Sequence, residues 1–267
     1  MGVDIKSLKS RIKSVDSTLH LTKAMGLVAS AKIRGASISM NKSREYCSAL
    51  EDTVSMLASS KSCEKSEYMK SGETGKVCLI VIAGDRGLAG GYNSNVFKIA
   101  ETINADKIIP IGKRACDKYG KEQLKVETYS YGDAIALANV LCEEFKNGKY
   151  EKIGILSTKY ISMMSQNPET EWVLPLRKTE KKSKADIIYE PDERTVLETV
   201  IEEYIAGKIV AAARESFTCE VVARRFAMDN AGKNAGEMID SLRLEYNRAR
   251  QGAITQEITE IVAGSGM

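Results

Sequence analysis

Proline is scarce in this sequence: four among 267 residues, Pro110, Pro168, Pro175 and Pro191. The 109 residues before them and the 76 after them contain none. Nothing at either end therefore removes a helical donor or clashes with a preceding turn, and long uninterrupted helices are permitted there. Histidine is scarcer still, with His20 alone. The six cysteines are scattered, with no pair at about two- to four-residue spacing, which together with one imidazole argues against a structural zinc site. The first residues lack the apolar core of a secretion signal, so the thiols are expected reduced and the chain intracellular. Lys6 stands where a myristoylation signal wants a small hydroxyl residue. No run of about 18 apolar residues exists, which excludes a membrane-spanning helix.

What is present describes a foldable chain, long enough for one large domain or two modest ones: 43% hydrophobic, 28% charged, net charge +3. Near the start, Ile5, Leu8, Ile12, Val15, Leu19, Thr22, Gly26, Ala29 and Ile33 alternate steps of three and four. That heptad spacing predicts a supercoiling helix over about residues 3 to 58, roughly 80 Å long. Its seam turns small and polar at Thr22, Gly26 and Ala29, and Gly26 costs about 1 kcal/mol against alanine in a helix interior, so a packing reason is expected there. From Thr195 onward, Val196, Val200, Ile201, Ile205 and Ile209 form a stripe. Ala235, Ile239, Leu242, Tyr246, Ala249 and Ala253 renew it, and Ile258, Ile261 and Val262 carry an apolar face nearly to the end. Two long amphipathic ends need a partner, and the nearest is each other, in an antiparallel coiled coil.

The middle has another texture. Val77 to Ala83 is a continuous apolar run of strand length, followed by a glycine-rich loop, Gly84-Asp85-Arg86-Gly87-Leu88-Ala89-Gly90-Gly91. Further strands are expected at 107–111, 124–129, 152–157 and 186–189, with helices at 95–103, 114–119 and 133–146. This alternation predicts a small Rossmann-like α/β domain over about residues 76 to 190. The basic stretch 177–184 reads as an exposed loop. The expected division is 1–60 amino-terminal helix, 61–75 linker, 76–190 α/β domain and 191–267 carboxy-terminal helix.

Candidate chemistry is thin. The glycine loop sits where doubly wound sheets place ligands, but it matches neither dinucleotide nor P-loop spacing and lacks the lysine and hydroxyl that grip phosphate and magnesium. A tight structural turn is the plainer reading, and a stand-alone α/β enzyme using this loop is the competing one. His20 has no second imidazole beside it, and no serine or cysteine sits in a nucleophile elbow. Residues 1–44 hold nine basic side chains against Asp4 and Asp16 and no aromatic ring. Such a helix suits nucleic acid, an anionic membrane or acidic protein loops, or is a solvated face, although stacking on single strands is excluded. After Arg250 only Glu257 and Glu260 are charged, and an apolar tip of that kind suits a sleeve better than water.

Three stretches carry a close resemblance. They are Ile12-Lys13-Ser14-Val15 with Thr22-Lys23-Ala24-Met25 and Val28 to Lys32; Asp85 to Asn93; and Tyr246 to Gln251 with Ile254 to Ile261. Together they resemble the gamma subunits of F-type ATP synthases over the whole length and in order. The resemblance implies an antiparallel coiled coil of the two terminal helices with the α/β domain at its foot. It implies a non-catalytic rotor shaft that couples ion-driven turning of the c-ring to ATP synthesis or hydrolysis. It implies no cofactor and no metal. Its partners would be the alpha and beta subunit hexamer, the epsilon subunit and the c-ring, one copy per complex, with no nucleic acid and no homo-oligomer. The family's coupling positions fall on Lys23, Met25, Arg250, Gln251, Thr255 and Glu257. No presequence is expected before the first motif, which fits a bacterial chain or an already processed one, and a place peripheral to the cytoplasmic face of a bacterial membrane is expected. Ala89 departs from the cysteine common in the family's glycine loop, and no redox-switch insertion with paired cysteines is visible, so thiol control is not expected. The stretch Cys219 to Phe226 also departs from the family's usual pattern, with the rod there still expected to be intact.

Overall fold

Each proline-free end carries a long helix, α1 over Ile5–Ala58 and α5 over Glu193–Ser265, although the first also takes in β1 (Val77–Ile82), so the lack of proline marks the helices only approximately. The computed structural model describes residues 5–70, 75–122, 124–177 and 187–265. Asp192 starts α5 by accepting from the backbone N–H of Arg194 and Thr195, both at 3.0 Å, and from the Thr195 hydroxyl at 2.8 Å. Those bonds satisfy donors that the first turn leaves without an intrahelical acceptor. The chain divides into two compact units, Met1–Ser30 with Arg224–Met267, and Ala31–Ala223.

In the first unit the two helices run antiparallel. Met228 and Asp229 lie beside Gly26, Thr22 and Leu19 beside Gly232, and the Arg225 guanidinium donates to the Ser30 hydroxyl. At the far end Ile5 shares a shallow cleft with Arg248, Ala249 and Gly252. The heptad residues Leu8, Thr22, Ala29, Ala235, Ile239 and Leu242 are buried. A Cβ on Gly26 would meet its neighbours at 3.6 Å, an ordinary contact, so the expected packing reason for this glycine is not found.

The second unit is built on a four-stranded sheet of order β2-β1-β3-β4. Its strands are β1 (Val77–Ile82), β2 (Lys107–Ile111), β3 (Lys152–Tyr160) and β4 (Gln166–Leu174). β1 pairs parallel with β2 and β3, and β4 pairs antiparallel with β3. Helices α2 (Tyr92–Thr102), α3 (Lys113–Tyr119) and α4 (Tyr131–Lys146) complete it. β1 alternates between the sheet's two faces, as a strand must. Cys78, Ile80 and Ile82 join Leu141 and Phe145 of α4, Leu57 of α1 and Ile205 of α5. Leu79 and Val81 pack instead against Val96 of α2 and Ala115 of α3.

Two strand expectations need correction, and one strand is additional. Residues 124–129 form no strand, because the N–H groups of Val126 and Glu127 donate to the Asp85 carboxylate instead of a neighbouring strand. Residues 187–189 form none either, and Asp186 lies outside the described residues. β4 was not expected: it is an edge strand, half exposed and polar, and its Pro168 sits where an edge tolerates a missing donor. Of the basic stretch 177–184, residues 178–184 lie outside the described residues.

Candidate functional site

The glycine loop follows β1, and its first residues are held by side chains from elsewhere in the chain. Asp85 accepts from the backbone N–H of Lys113 at 3.1 Å, Val126 at 2.9 Å and Glu127 at 3.0 Å. Glu220 of α5 accepts from the N–H of Asp85 at 3.0 Å and Arg86 at 3.1 Å. Gly84 is required by this approach, since a Cβ there would lie 2.7 Å from the Glu220 carboxyl carbon. A phosphate-binding loop turns free N–H groups toward an anion. Here Glu220 already holds two of the loop's N–H groups, and its carboxylate and that of Asp85 would repel a phosphate, so the loop is a structural turn. The sequence offered no signal for Glu220, because it reaches the loop from 135 residues away.

The basic amino-terminal helix is partly spent inside the second unit. Lys32 pairs with Glu127 at 2.6 Å, and Arg86 approaches the same carboxylate at 3.9 Å. The Lys32 hydrogen bond leads in holding the Glu127 carboxyl below its ordinary range. Arg44 pairs with the buried Glu215 at 2.6 Å. Burial pushes the Cys78, Cys142 and Cys219 thiols up to about 12, so they are protonated at neutral pH. Among the described residues no group of three His, Cys, Asp or Glu side chains is placed to hold a metal ion.

The six candidate coupling residues all belong to the first unit and lie on its outer surface. Lys23 is exposed and Met25 half-buried, both next to Gly26 and so level with Met228 and Asp229. Arg250, Gln251, Thr255 and Glu257 are exposed on α5. Thr255 donates its hydroxyl to the Gln251 carbonyl at 2.9 Å. Because α5 rises 1.5 Å per residue, Arg250 stands about 30 Å along the pair from the level of Lys23 and Met25. The antiparallel register thus does not bring the two sets together. It separates them into two levels of one rod.

Beyond Ala253 the seam runs out. Ile254, Ile258, Ile261 and Val262 are 47–68% exposed, whereas Ile239 and Leu242 on the paired stretch are 4% exposed. Among the described residues no helix is long and apolar enough to cross a membrane.

A family model described as ATP synthase matches residues 4–266. The ATP synthase gamma chain of Alkaliphilus metalliredigens is 38% identical, with 99% of each chain covered. That of Ruminococcus albus is 39% identical over 98% of each, and the sodium ion specific gamma chain of Acetobacterium woodii is 34% identical over 99% of each. Two cryo-EM structures of the Euglena gracilis mitochondrial ATP synthase share the fold. The chain from the rotor in rotational state 1 has a TM-score of 0.66 at 17% identity, covering 94% of this chain and 98% of that one. The chain from the assembly of OSCP, F1 and c-ring in state 3 has a TM-score of 0.69 at 16% identity, covering 98% and 93%. With a full-length family match and relatives above 30% identity on a two-helix rod and a mixed α/β sheet, this chain belongs to the ATP synthase gamma-chain family, the non-catalytic central shaft of the complex.

Proposed function

We propose that the shaft couples through two levels of its rod, Lys23 and Met25 at one, and Arg250, Gln251, Thr255 and Glu257 at the other. Lys23 and Arg250 pair with acidic loops of the catalytic beta subunits. Gln251 and Thr255 offer hydrogen bonds that hold or release a rotor position. An asymmetric rod gives each surrounding site different contacts at each angle, and differential contact is what shifts a conformational equilibrium. Ion-driven rotation of the c-ring is thereby converted to ATP synthesis, or hydrolysis drives it in reverse. The partners on this reading are the alternating alpha and beta hexamer, the c-ring and the epsilon subunit, with one shaft per complex. The chain lies peripherally on the cytoplasmic face of a bacterial membrane. Its parts divide at 1–60, 61–75, 76–190 and 191–267.

The observation that supports this most is the bare end of α5. Four large aliphatic side chains on a single helix, with two acidic and no basic residues after Arg250, suit a close-fitting apolar sleeve. The test is co-purification with alpha and beta subunits, beside a calorimetric titration of the isolated chain with Mg-ATP. Association with the hexamer and no tight nucleotide binding are expected, and removal of the last dozen residues weakens coupling while the α/β part stays folded. Tight Mg-ATP binding without hexamer association would sink the reading.

A further inference from the structure

The second unit contains a run of alternating charges that neither the glycine loop nor the coupling surface uses. Lys208 of α5 is 7% exposed, and its ammonium contacts Glu51 of α1 at 2.9 Å and Glu171 of β4 at 2.5 Å. The other Glu171 oxygen accepts from Lys159 of β3 at 3.0 Å. Two turns along α5, Glu215 is 4% exposed and takes Arg44 of α1 at 2.6 Å. The same Glu215 oxygen accepts from the Tyr160 N–H at 2.6 Å, and Arg44 donates to the Tyr160 carbonyl at 2.9 Å. These six side chains line one cleft of about 200 Å³. Three cations face three carboxylates, so the cleft has no excess charge with which to select an ionic ligand.

The place of the run in the sheet explains it. β1 pairs with β3 only as far as Leu156, and beyond that point the β1 side of β3 has lost its strand partner. There α5 takes over: the Thr158 N–H donates to the Ser216 hydroxyl at 3.3 Å and the Tyr160 N–H to Glu215. The helix is thus stitched sideways to the end of a strand as well as packed on the sheet's face.

We infer that Lys208 and Glu215, with Glu51, Glu171, Lys159 and Arg44, form a clasp that fixes the rotational register of α5 against α1 and the sheet, and so carries torque between the α/β body and the helix. The inference rests on the shaft reading. Its physical basis is directionality. The apolar contacts of Ile201, Ile205 and Ile209 are nearly indifferent to a small turn of α5 about its axis, because burial depends on area and not on bearing. A buried ammonium held between two carboxylates is not indifferent. Turning α5 strips it of partners before water can replace them, and an unpaired buried charge is strongly disfavoured.

The test uses the complete complex in sealed vesicles and reads ions pumped per ATP hydrolysed, beside the thermal midpoint of the isolated chain. Lys208→Met with Glu171→Met replaces the central pair by apolar groups of similar size, a change that often leaves stability intact. Glu51 is half exposed and Lys159 about a third, so both charged heads keep access to water when the pair is replaced. The expected result is a fall in the pumping ratio of about twofold or more with an unchanged midpoint, and retention of the ratio in Lys208→Arg. Should the double variant fold poorly, Glu51→Gln decides, since that half-exposed carboxylate can be lost without leaving the fold unsupported, and a smaller fall is expected. Wild-type pumping with an unaltered ratio in either folded variant overturns the clasp alone. Failure of the wild-type chain to join alpha and beta subunits overturns the shaft reading, and the clasp with it.

Discussion

The two units solve the same problem, a pair of long antiparallel helices, by opposite means. In the first, α1 and α5 meet along a narrow seam in which Leu8, Ile239 and Leu242 are buried, Leu19 and Tyr246 are only partly covered, and Gly26 sits at the contact. In the second, the same helices press Leu57, Ile201 and Ile205, each below 1% exposed, onto a sheet and add paired buried charge. One stretch is held by little and shows most of its surface. The other is held by a shared core and by directional contacts. On the proposed reading a shaft uses both, since the part that would meet changing neighbours must present surface and the part that would take up torque must not slip.

Core truncation breaks this contrast most sharply. Ile80→Ala in the fully buried β1 should cost about 2–5 kcal/mol, whereas Leu19→Ala on the half-buried seam should cost about 1 kcal/mol. Urea unfolding midpoints read both, and equal losses would erase the distinction. Gly84→Ala comes next. Its new methyl meets the Glu220 side chain at 2.7–2.9 Å, and about 1–3 kcal/mol should be lost. Wild-type stability in that variant would show that the Glu220 contact to the loop gives way cheaply.

Gly26→Ala should act in the opposite direction. The added carbon has room at 3.6 Å and helix propensity favours alanine, so a gain of up to about 1 kcal/mol is expected in thermal unfolding. A loss there would mean that the seam is tighter than its spacing shows. The smallest effect concerns pH. Burial alone would raise the Glu171 carboxyl, but Lys208 and Lys159 outweigh it and hold it below its ordinary value. A depressed carboxyl contributes stability above its unfolded value near pH 4.3, and the contribution is lost as pH falls through the folded value. With a third of the side chain exposed, the screened contribution is about 0.5 kcal/mol. Urea titrations from pH 6 to pH 3 should therefore show a shallower decline in Glu171→Gln than in wild type, and parallel curves would remove the pair from the account.

Absence of proline and heptad spacing were enough to place both long helices, because a helix writes its burial into residues three and four apart. β1 was legible for a similar reason: six apolar residues in a row are buried on both faces. β4 was not, since an edge strand with Pro168, Glu169 and Glu171 looks like a loop until its partner is known. The stretch 124–129 erred the other way. Its buried Val126 and Tyr129 imitate a strand, but its backbone is held by Asp85 and by Arg214, which donates to the Glu127 and Tyr129 carbonyls. The candidate coupling residues Lys23, Met25, Arg250, Gln251, Thr255 and Glu257 came from motif resemblance, while their separation into two levels came from the antiparallel register.

The sequence by itself determined that this chain has two long helices around an α/β middle, and which family it joins, because periodicity and motif are local and survive without coordinates. Only the tertiary structure decided what the glycine loop is for and how the helix is locked to the sheet. Asp85 and Glu220, or Glu51 and Lys208, are more than 130 residues apart in the chain. Whether a charge faces water, a ligand or its own opposite depends on where the chain returns, and no spacing along the sequence records that.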